Sequence, residues 1–312
     1  MSNVLNRIKT ISPDNILDTV ASDPLSIKTF VVNLDDYKEN FTNQLPYLEK
    51  IGLHPERFPA INAIKNEHLD PKYIPYISRY ARYFTPKSTI GCSLSHILLA
   101  HHINEQYIEN KNPIENIDTI NDRYFLIMED DAFPVQSYNT EELFQKTLYS
   151  TIDDIEIMDK EWDIIQLHSD ALFPTHETYH THFFCGSTAA YLISVRGIRR
   201  MLKECVTNHV DFVTQNFIKY NKYRVRSNLF YTDETKSLNR KKANYYLVLI
   251  KKVILQRLIP LRGEKDWGHF LNFKFFRLPY IDHDLTGTEF LDYLAVLFLL
   301  RISFKMSRKY LN

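Results

Sequence analysis

Glycine is scarce in this chain, and its scarcity excludes two common ways of holding a nucleotide. The 312 residues contain 7 glycines, at positions 52, 91, 186, 197, 263, 268 and 287. None falls at the spacing of a dinucleotide-binding G-x-G-x-x-G or of a phosphate-cradling G-x-x-x-x-G-K. A diphosphate bound here would therefore be held through a metal ion and side chains, not by a glycine-rich backbone nest. Cysteine is scarcer still. Cys92, Cys185 and Cys205 are odd in number and far apart, with no CxxC and no Cys/His zinc spacing, so the sequence indicates neither a disulfide framework nor structural zinc. A reducing compartment is the expectation. Long apolar runs are also missing. Residues 1–23 carry no signal-peptide core, and nowhere do about 18 uninterrupted apolar residues occur, which predicts a cytoplasmic chain without a membrane span. Finally, 38 basic residues offset 38 acidic ones, which removes the global polyanion-binding signature and with it any expectation of a nucleic-acid partner.

With 44% hydrophobic residues, a chain of this length can bury a large core as one large α/β domain or two smaller ones. The pattern alternates. Thr29-Phe30-Val31-Val32-Asn33-Leu34 reads as a buried strand, and Leu45, Leu48 and Ile51 mark a helix closed by Gly52. Arg57-Phe58-Pro59-Ala60-Ile61 follows as a second strand, giving the start of a strand-helix-strand unit and a mostly parallel sheet. Residues 64–88 read as irregular. Ser93 or Ser95 is expected to cap a helix running to about Ile108. Strands at 162–167 and 189–194, with helices at 141–152 and 195–205, continue the alternation.

The most informative stretch is Leu126-Ile127-Met128-Glu129-Asp130-Asp131, an apolar strand running into three carboxylates. On an extended backbone Glu129 and Asp131 share a face and Asp130 opposes them. Adjacent like charges beside a buried strand lose hydration and repel unless a cation compensates them. Hard carboxylate oxygens select Mg²⁺ or Mn²⁺, ions that keep open positions for phosphate oxygens. The strand end therefore reads as a metal-diphosphate site, lying outside the carboxyl end of a strand where open α/β sheets bind ligands. The competing reading is an acidic turn after a core strand.

Several segments together resemble family 25 glycosyltransferases, which include lipooligosaccharide galactosyltransferases and collagen hydroxylysine galactosyltransferases. Val31-Val32-Asn33-Leu34-Asp35 is similar to that family's opening strand, and Arg57-Phe58-Pro59-Ala60-Ile61 to its second motif. Ile90-Gly91-Cys92-Ser93-Leu94-Ser95-His96 resembles its Gly-Cys-x-x-Ser-His motif, residues 126–133 its Glu-Asp-Asp segment, and residues 163–167 the next strand. Residues 190–197 resemble its Ala-Tyr-x-Ile-x-x-x-Gly junction, Val210-Asp211 its later acidic motif, and residues 231–237 its closing Asp-containing loop. The chain departs from the family at Thr89, where Glu is usual, at Asn62-Ala63, where Asp-Gly is common, and over 36–40, which lacks an expected Arg.

The resemblance implies a GT-A-type nucleotide-diphospho-sugar transferase domain over residues 1–238, with a mostly parallel central sheet, followed by a helical extension over 239–312. It implies a UDP-hexose donor, most often UDP-galactose, with Mn²⁺ or Mg²⁺ and inversion at the anomeric carbon. Carried onto this sequence, Asp131 is the first metal ligand, and Glu129 ligates as well or orients metal-bound water. Asp130 holds the donor's ribose or sugar, or an adjacent backbone group. Asn33, Leu34, Arg57, Ala60, Ser95 and His96 are expected on the donor side. Asp211 is the candidate base that deprotonates the acceptor hydroxyl, with a helix N-cap as its bland alternative. His96 is expected near a helix start, donating to a phosphate, or else buried against a backbone carbonyl. The histidines at 168, 176, 180 and 182 form no convincing metal spacing.

A lipid-linked glycan of lipooligosaccharide type is the expected acceptor. A protein acceptor such as collagen-like hydroxylysine, or a non-catalytic sugar- or membrane-binding scaffold, is the alternative. The segment 239–263 has no acidic residue and interleaves Lys251, Lys252 and Arg257 with Leu249, Ile250, Val253 and Ile254. If helical, it is a basic amphipathic element able to lie on an anionic bilayer, or to pack on the domain with its charges in water. Residues 290–304 add a second apolar run, too short to span a membrane.

Overall fold

The computed structural model describes residues 27–65, 70–109, 124–171, 185–210, 219–233, 245–258, 271–278, 283–297 and 300. Its centre is a six-stranded sheet. The strands are β1 (Thr29–Leu34), β2 (Glu56–Ala60), β3 (Tyr124–Glu129), β5 (Ile164–Gln166), β8 (Ala190–Ser194) and β9 (Lys222–Arg224), in the order β2-β1-β3-β8-β5-β9. Neighbours pair in parallel except β8, which runs antiparallel to both β3 and β5. The chain is thus a mixed α/β protein with a mostly parallel central sheet, as the alternation of strand and helix patterns predicts.

Strands buried on both faces explain why their sequences are unbroken apolar runs. Successive residues of β1 feed opposite cores: Val31 packs with Leu126, Met128 and Leu192 on one side, Phe30 and Val32 with Ile127, Tyr191 and Ile193 on the other. Helix α1 (Lys38–Glu49) and helix α4 (Glu141–Met158) cover the first face through Leu48, Phe144, Leu148 and Ile152. Helix α3 (Lys87–Ile103) and helix α5 (Val195–Met201) cover the second through Leu94, Ile97, Ile198 and Met201. Each such fully buried aliphatic side chain contributes about 1.5–3 kcal/mol. Gly52 sits at φ 78°, the left-handed conformation that ends α1 at the position read from the sequence.

Two expectations fail here. Residues 64–88 are not wholly irregular: a 3₁₀ turn (Pro71–Tyr76) leads to α2 (Arg79–Phe84), capped by Ser78 Oγ accepting from the Ala81 N–H at 3.1 Å. Helix α3 begins at Lys87 rather than at Ser93 or Ser95. Those serines lie mid-helix and are buried, where their hydroxyls serve tertiary ties instead of capping. Ser93 donates to Asn208 O at 2.8 Å, and Ser95 donates to Gly91 O at 2.7 Å while accepting from the Ile61 N–H at 2.8 Å. Gly91 allows this contact, since a Cβ there would stand 2.5 Å from the Ile61 carbonyl oxygen.

Beside the central sheet, β4 (Ala132–Pro134) pairs antiparallel with β10 (Phe230–Thr232) as a separate two-stranded ladder. Two further two-stranded ladders join β6 (Asp170–Ala171) to β7 (Cys185–Gly186) and β11 (Lys274–Leu278) to β12 (His283–Thr286). Helix α6 (Tyr245–Leu258) occupies the basic segment, and 287–297 is also helical. Among the described residues no helix is long and apolar enough to cross a membrane.

Candidate functional site

A cleft opens at the carboxyl ends of β1, β2 and β3. It is lined by Val32 and Leu34 from β1, by 60–64 after β2, by Ser88, Cys92, Ser95 and His96 from α3, by Tyr37 and Asn40, and by Glu129, Asp130 and Asp131. It offers about 820 Å³ of unfilled space, solvent at its mouth included. Leu34, Ala60, Ser95, His96, Glu129, Asp130 and Asp131, expected on the donor and metal side, thus converge on one place.

The strand ends at Glu129, and Asp130 and Asp131 occupy the turn that follows. All three carboxylates line the cleft. Alternation carries one residue past the strand: Glu129 faces His96 of α3, whereas Asp130 faces Asn33 and Asn40 on the α1 side, as an extended backbone predicts. Asp130 Oδ2 accepts from Asn33 Nδ2 at 2.6 Å and from Asn40 Nδ2 at 3.2 Å. Burial pushes its carboxyl above the ordinary range, the two amides pull it back, and the Glu129 charge raises it further. Glu129 is held differently: its Oε1 accepts from Thr188 Oγ1 at 2.6 Å and lies 3.5 Å from His96 Nε2.

Asn33 and Arg57 support the cleft from behind, and neither lines it. Arg57 Nε donates to Asn33 Oδ1 at 2.6 Å, while its Nη2 reaches Asn33 O at 3.1 Å and Asp35 Oδ1 at 2.8 Å. The guanidinium thereby fixes which end of the Asn33 amide faces Asp130. On the other flank of β1, Asp36 accepts from Asn62 and pairs with Lys65 at 2.7 Å, engaging the Asn62 that stands in place of a family Asp.

His96 is wholly buried and stands ten residues into its helix from Pro86, so the positive helix end gives it no help with a phosphate. Nor does it bond a backbone carbonyl. Its Nδ1 meets Tyr191 Oη at 2.9 Å, leaving Nε2 directed at Glu129. One turn before it, Cys92 shares the same helix face. Its sulfur, His96 Nε2 and a Glu129 oxygen all lie within 4.8 Å of one another. The sequence shows no CxxC and no Cys/His zinc spacing, yet Cys92 and His96 stand i, i+4 on α3 and face a carboxylate 33 residues further along the chain at a strand end.

The donor set also bears on Mg²⁺ or Mn²⁺. Glu129 and Asp131 present hard oxygens to the cleft, as those ions require, whereas Asp130 is already engaged by two amides. Glu129 and Asp131 are the cleft carboxylates that could hold a hard divalent ion, while among the described residues the group of three whose ligand atoms lie close enough to share one ion is Cys92, His96 and Glu129. The closing Asp-containing loop also reaches this point, the Asp233 N–H donating to Asp131 O at 2.9 Å.

Asp211, His176, His180 and His182 lie outside the described residues. His168 is buried, with Nδ1 2.8 Å from Phe230 O, a structural position away from the cleft lining. Lys251, expected as a bilayer-facing charge, instead pairs with Asp292 at 2.6 Å and donates to Thr288 O at 3.0 Å. No protein-family model matches the chain, and no match was found among curated proteins.

Proposed function

We propose that the chain is an inverting glycosyltransferase of GT-A type, transferring a hexose, galactose from UDP-galactose foremost, to a surface glycolipid glycan of lipooligosaccharide type. One observation carries the reading: the ends of β1 and β2, the Gly-Cys-x-x-Ser-His helix and the Glu-Asp-Asp turn, which resemble one family's motifs in sequence, line a single cleft. With no glycine-rich nest in the chain, a diphosphate in this cleft needs a cation and side chains.

Asp131 and Glu129 would hold Mn²⁺ or Mg²⁺, which when bound neutralises charge developing on the leaving diphosphate. The chain's own residues orient the rest. Arg57 sets the Asn33 amide, Asn33 and Asn40 hold Asp130, and Asp130 then presents its remaining acceptor capacity to a ribose or sugar hydroxyl. Asp211 is the proposed base, on the strength of the sequence resemblance alone. The test is calorimetric binding of UDP and UDP-galactose with Mn²⁺ and then with EDTA. Metal-dependent binding supports the donor site; absence of binding under both conditions overturns it.

The acceptor side of the proposal is a lipid-linked glycan reached from an anionic membrane surface, with the protein peripheral to the cytoplasmic leaflet. It draws support from α6, where Ile250, Val253 and Ile254 form an exposed apolar stripe at helical spacing.

A further inference from the structure

We propose that Cys92 Sγ, His96 Nε2 and Glu129 Oε1 form a binding site for one thiophilic divalent ion, Zn²⁺ in first place, in the wall of the cleft. This site is independent of the transfer reading, although it shares Glu129 with the hard-ion site. The separations fit one ion. Two nitrogen or oxygen ligands about 2.1 Å from a tetrahedral zinc stand about 3.4 Å apart, and His96 Nε2 lies 3.5 Å from Glu129 Oε1. The sulfur joins them with every pair of ligand atoms inside 4.8 Å.

The histidine is the second, independent observation. His96 is 0% exposed, yet its Nε2 makes no hydrogen bond. Leaving a buried ring nitrogen unsatisfied costs about 1–3 kcal/mol, a cost that ligation to an ion removes. Its other nitrogen is engaged by Tyr191 Oη at 2.9 Å, the arrangement by which ligating histidines are held in one tautomer and orientation. Thr188 Oγ1 donates to Glu129 Oε1 itself, which holds that oxygen in place, and a carboxylate oxygen carries a second lone pair with which to ligate an ion. Cys92 and His96 are placed by consecutive turns of one rigid helix, and Cys92 and Glu129 are partly exposed to the cleft, which gives an ion its way in. Three protein ligands would leave a tetrahedral ion one position for an external ligand, the pattern of zinc sites that bind water or substrate.

Ligand softness separates this site from the neighbouring one. A thiolate and an imidazole select Zn²⁺ or Co²⁺ over Mg²⁺ and Mn²⁺, whereas Asp131 offers only hard oxygen. An ion held by Cys92 and His96 would draw Glu129 toward α3 and away from Asp131.

The test is Co²⁺ titration of the reduced, EDTA-stripped full chain without nucleotide, followed by Zn²⁺ displacement. A thiolate-to-cobalt charge-transfer band that Zn²⁺ abolishes at one equivalent is expected, and Cys92→Ser should remove it. No band, or a band that survives in Cys92→Ser and so arises from Cys185 or Cys205, overturns the site. Because Cys92→Ser may unfold the chain, the wild-type protein gives a second readout. Zn²⁺ should slow alkylation of Cys92 at least tenfold, followed by mass mapping, and an unchanged rate overturns the proposal. Neither readout depends on UDP binding, so the two failures are distinguishable.

Discussion

The amide of Asn33 joins the ends of two parallel strands, its Nδ2 donating to Asp130 Oδ2 across 2.6 Å. The same side chain accepts from Arg57 Nε at 2.6 Å, so an exposed ion pair, Arg57 with Asp35, is transmitted to a cleft carboxylate through one neutral group. Removing that group strands partners on both sides. Asn33→Ala should cost about 1–3 kcal/mol, the penalty of leaving part-buried polar groups unsatisfied, measured by denaturant unfolding. It should also weaken metal-dependent UDP binding in calorimetry. Unchanged stability and unchanged binding together would remove Asn33 from the support of Asp130.

The proposed function gives the carboxylates different roles, and substitution separates them. Asp131→Ala should abolish transfer and metal-linked UDP binding while leaving the fold intact; retained activity would sink the ligand assignment. Asp211→Asn should keep donor binding and lose transfer, and near-normal turnover in that variant would rule Asp211 out as the base.

Which of these features the sequence made legible follows from periodicity. Unbroken apolar runs gave β1, β3 and β8, because strands covered on both faces show no polar alternation, and Gly52 marked the end of α1 because only a positive φ fits there. The opposed directions of Glu129 and Asp130 were legible for the same periodic reason, since Asp130 turns to Asn40 of α1 while Glu129 faces His96 of α3. The start of α3 was misplaced because serine suggests a cap, while inside the helix the Ser93 hydroxyl donates to Asn208 O and the Ser95 hydroxyl donates back to Gly91 O and accepts from the Ile61 N–H. Thr188 and Tyr191, which hold Glu129 and His96, stand 59 and 95 residues away in sequence, and no local pattern links them.

Asp163 anchors the far edge of the sheet. Fully buried, its carboxylate accepts from Arg196 Nε at 2.9 Å, from Arg200 and from the Asn221 N–H at 2.7 Å, tying β5, α5 and the approach to β9 together. Asp163→Ala removes the shared acceptor of two part-exposed guanidinium groups and of the Asn221 N–H, and should destabilise by about 1–3 kcal/mol, the cost of leaving such polar partners unsatisfied. Gly197→Ala should also destabilise, since its Cβ would stand 2.5 Å from the Asp163 carbonyl oxygen. Chemical denaturation reads both; a shift below about 1 kcal/mol in Asp163→Ala would show the cluster to be dispensable.

Alkaline stability is set by buried phenols. Burial pushes Tyr149 and Tyr223 up from 10.0 to about 12, and the Asp159 carboxylate adds to the shift at Tyr223. Tyr220 is raised further, chiefly by burial. An acid whose folded pKa lies above its unfolded value binds more protons when folded, so its contribution is constant below the unfolded pKa and stability falls as pH rises beyond it. Stability should therefore decline between pH 10 and 12, with tyrosinate absorbance appearing together with unfolding. Free titration of every tyrosine near pH 10, with the fold retained, would contradict the burial.

The proposed membrane contact separates charge from apolar contact on α6. Lys251 is committed to Asp292 and Thr288, and the exposed stripe Ile250, Val253 and Ile254 is the candidate for bilayer contact. A nearby basic residue adds on the order of 1 kcal/mol at an anionic surface, too little alone, so the apolar stripe must carry most of the binding. Val253→Asp with Ile254→Asp should therefore release the protein from anionic vesicles at least tenfold, whereas Lys251→Ala should act through loss of the Asp292 pair and leave vesicle binding nearly unchanged. Co-sedimentation with vesicles of neutral and anionic composition distinguishes the cases. Persistent binding by the double aspartate variant would shift the contact to 293–297, where Tyr293, Leu294, Val296 and Leu297 are also exposed.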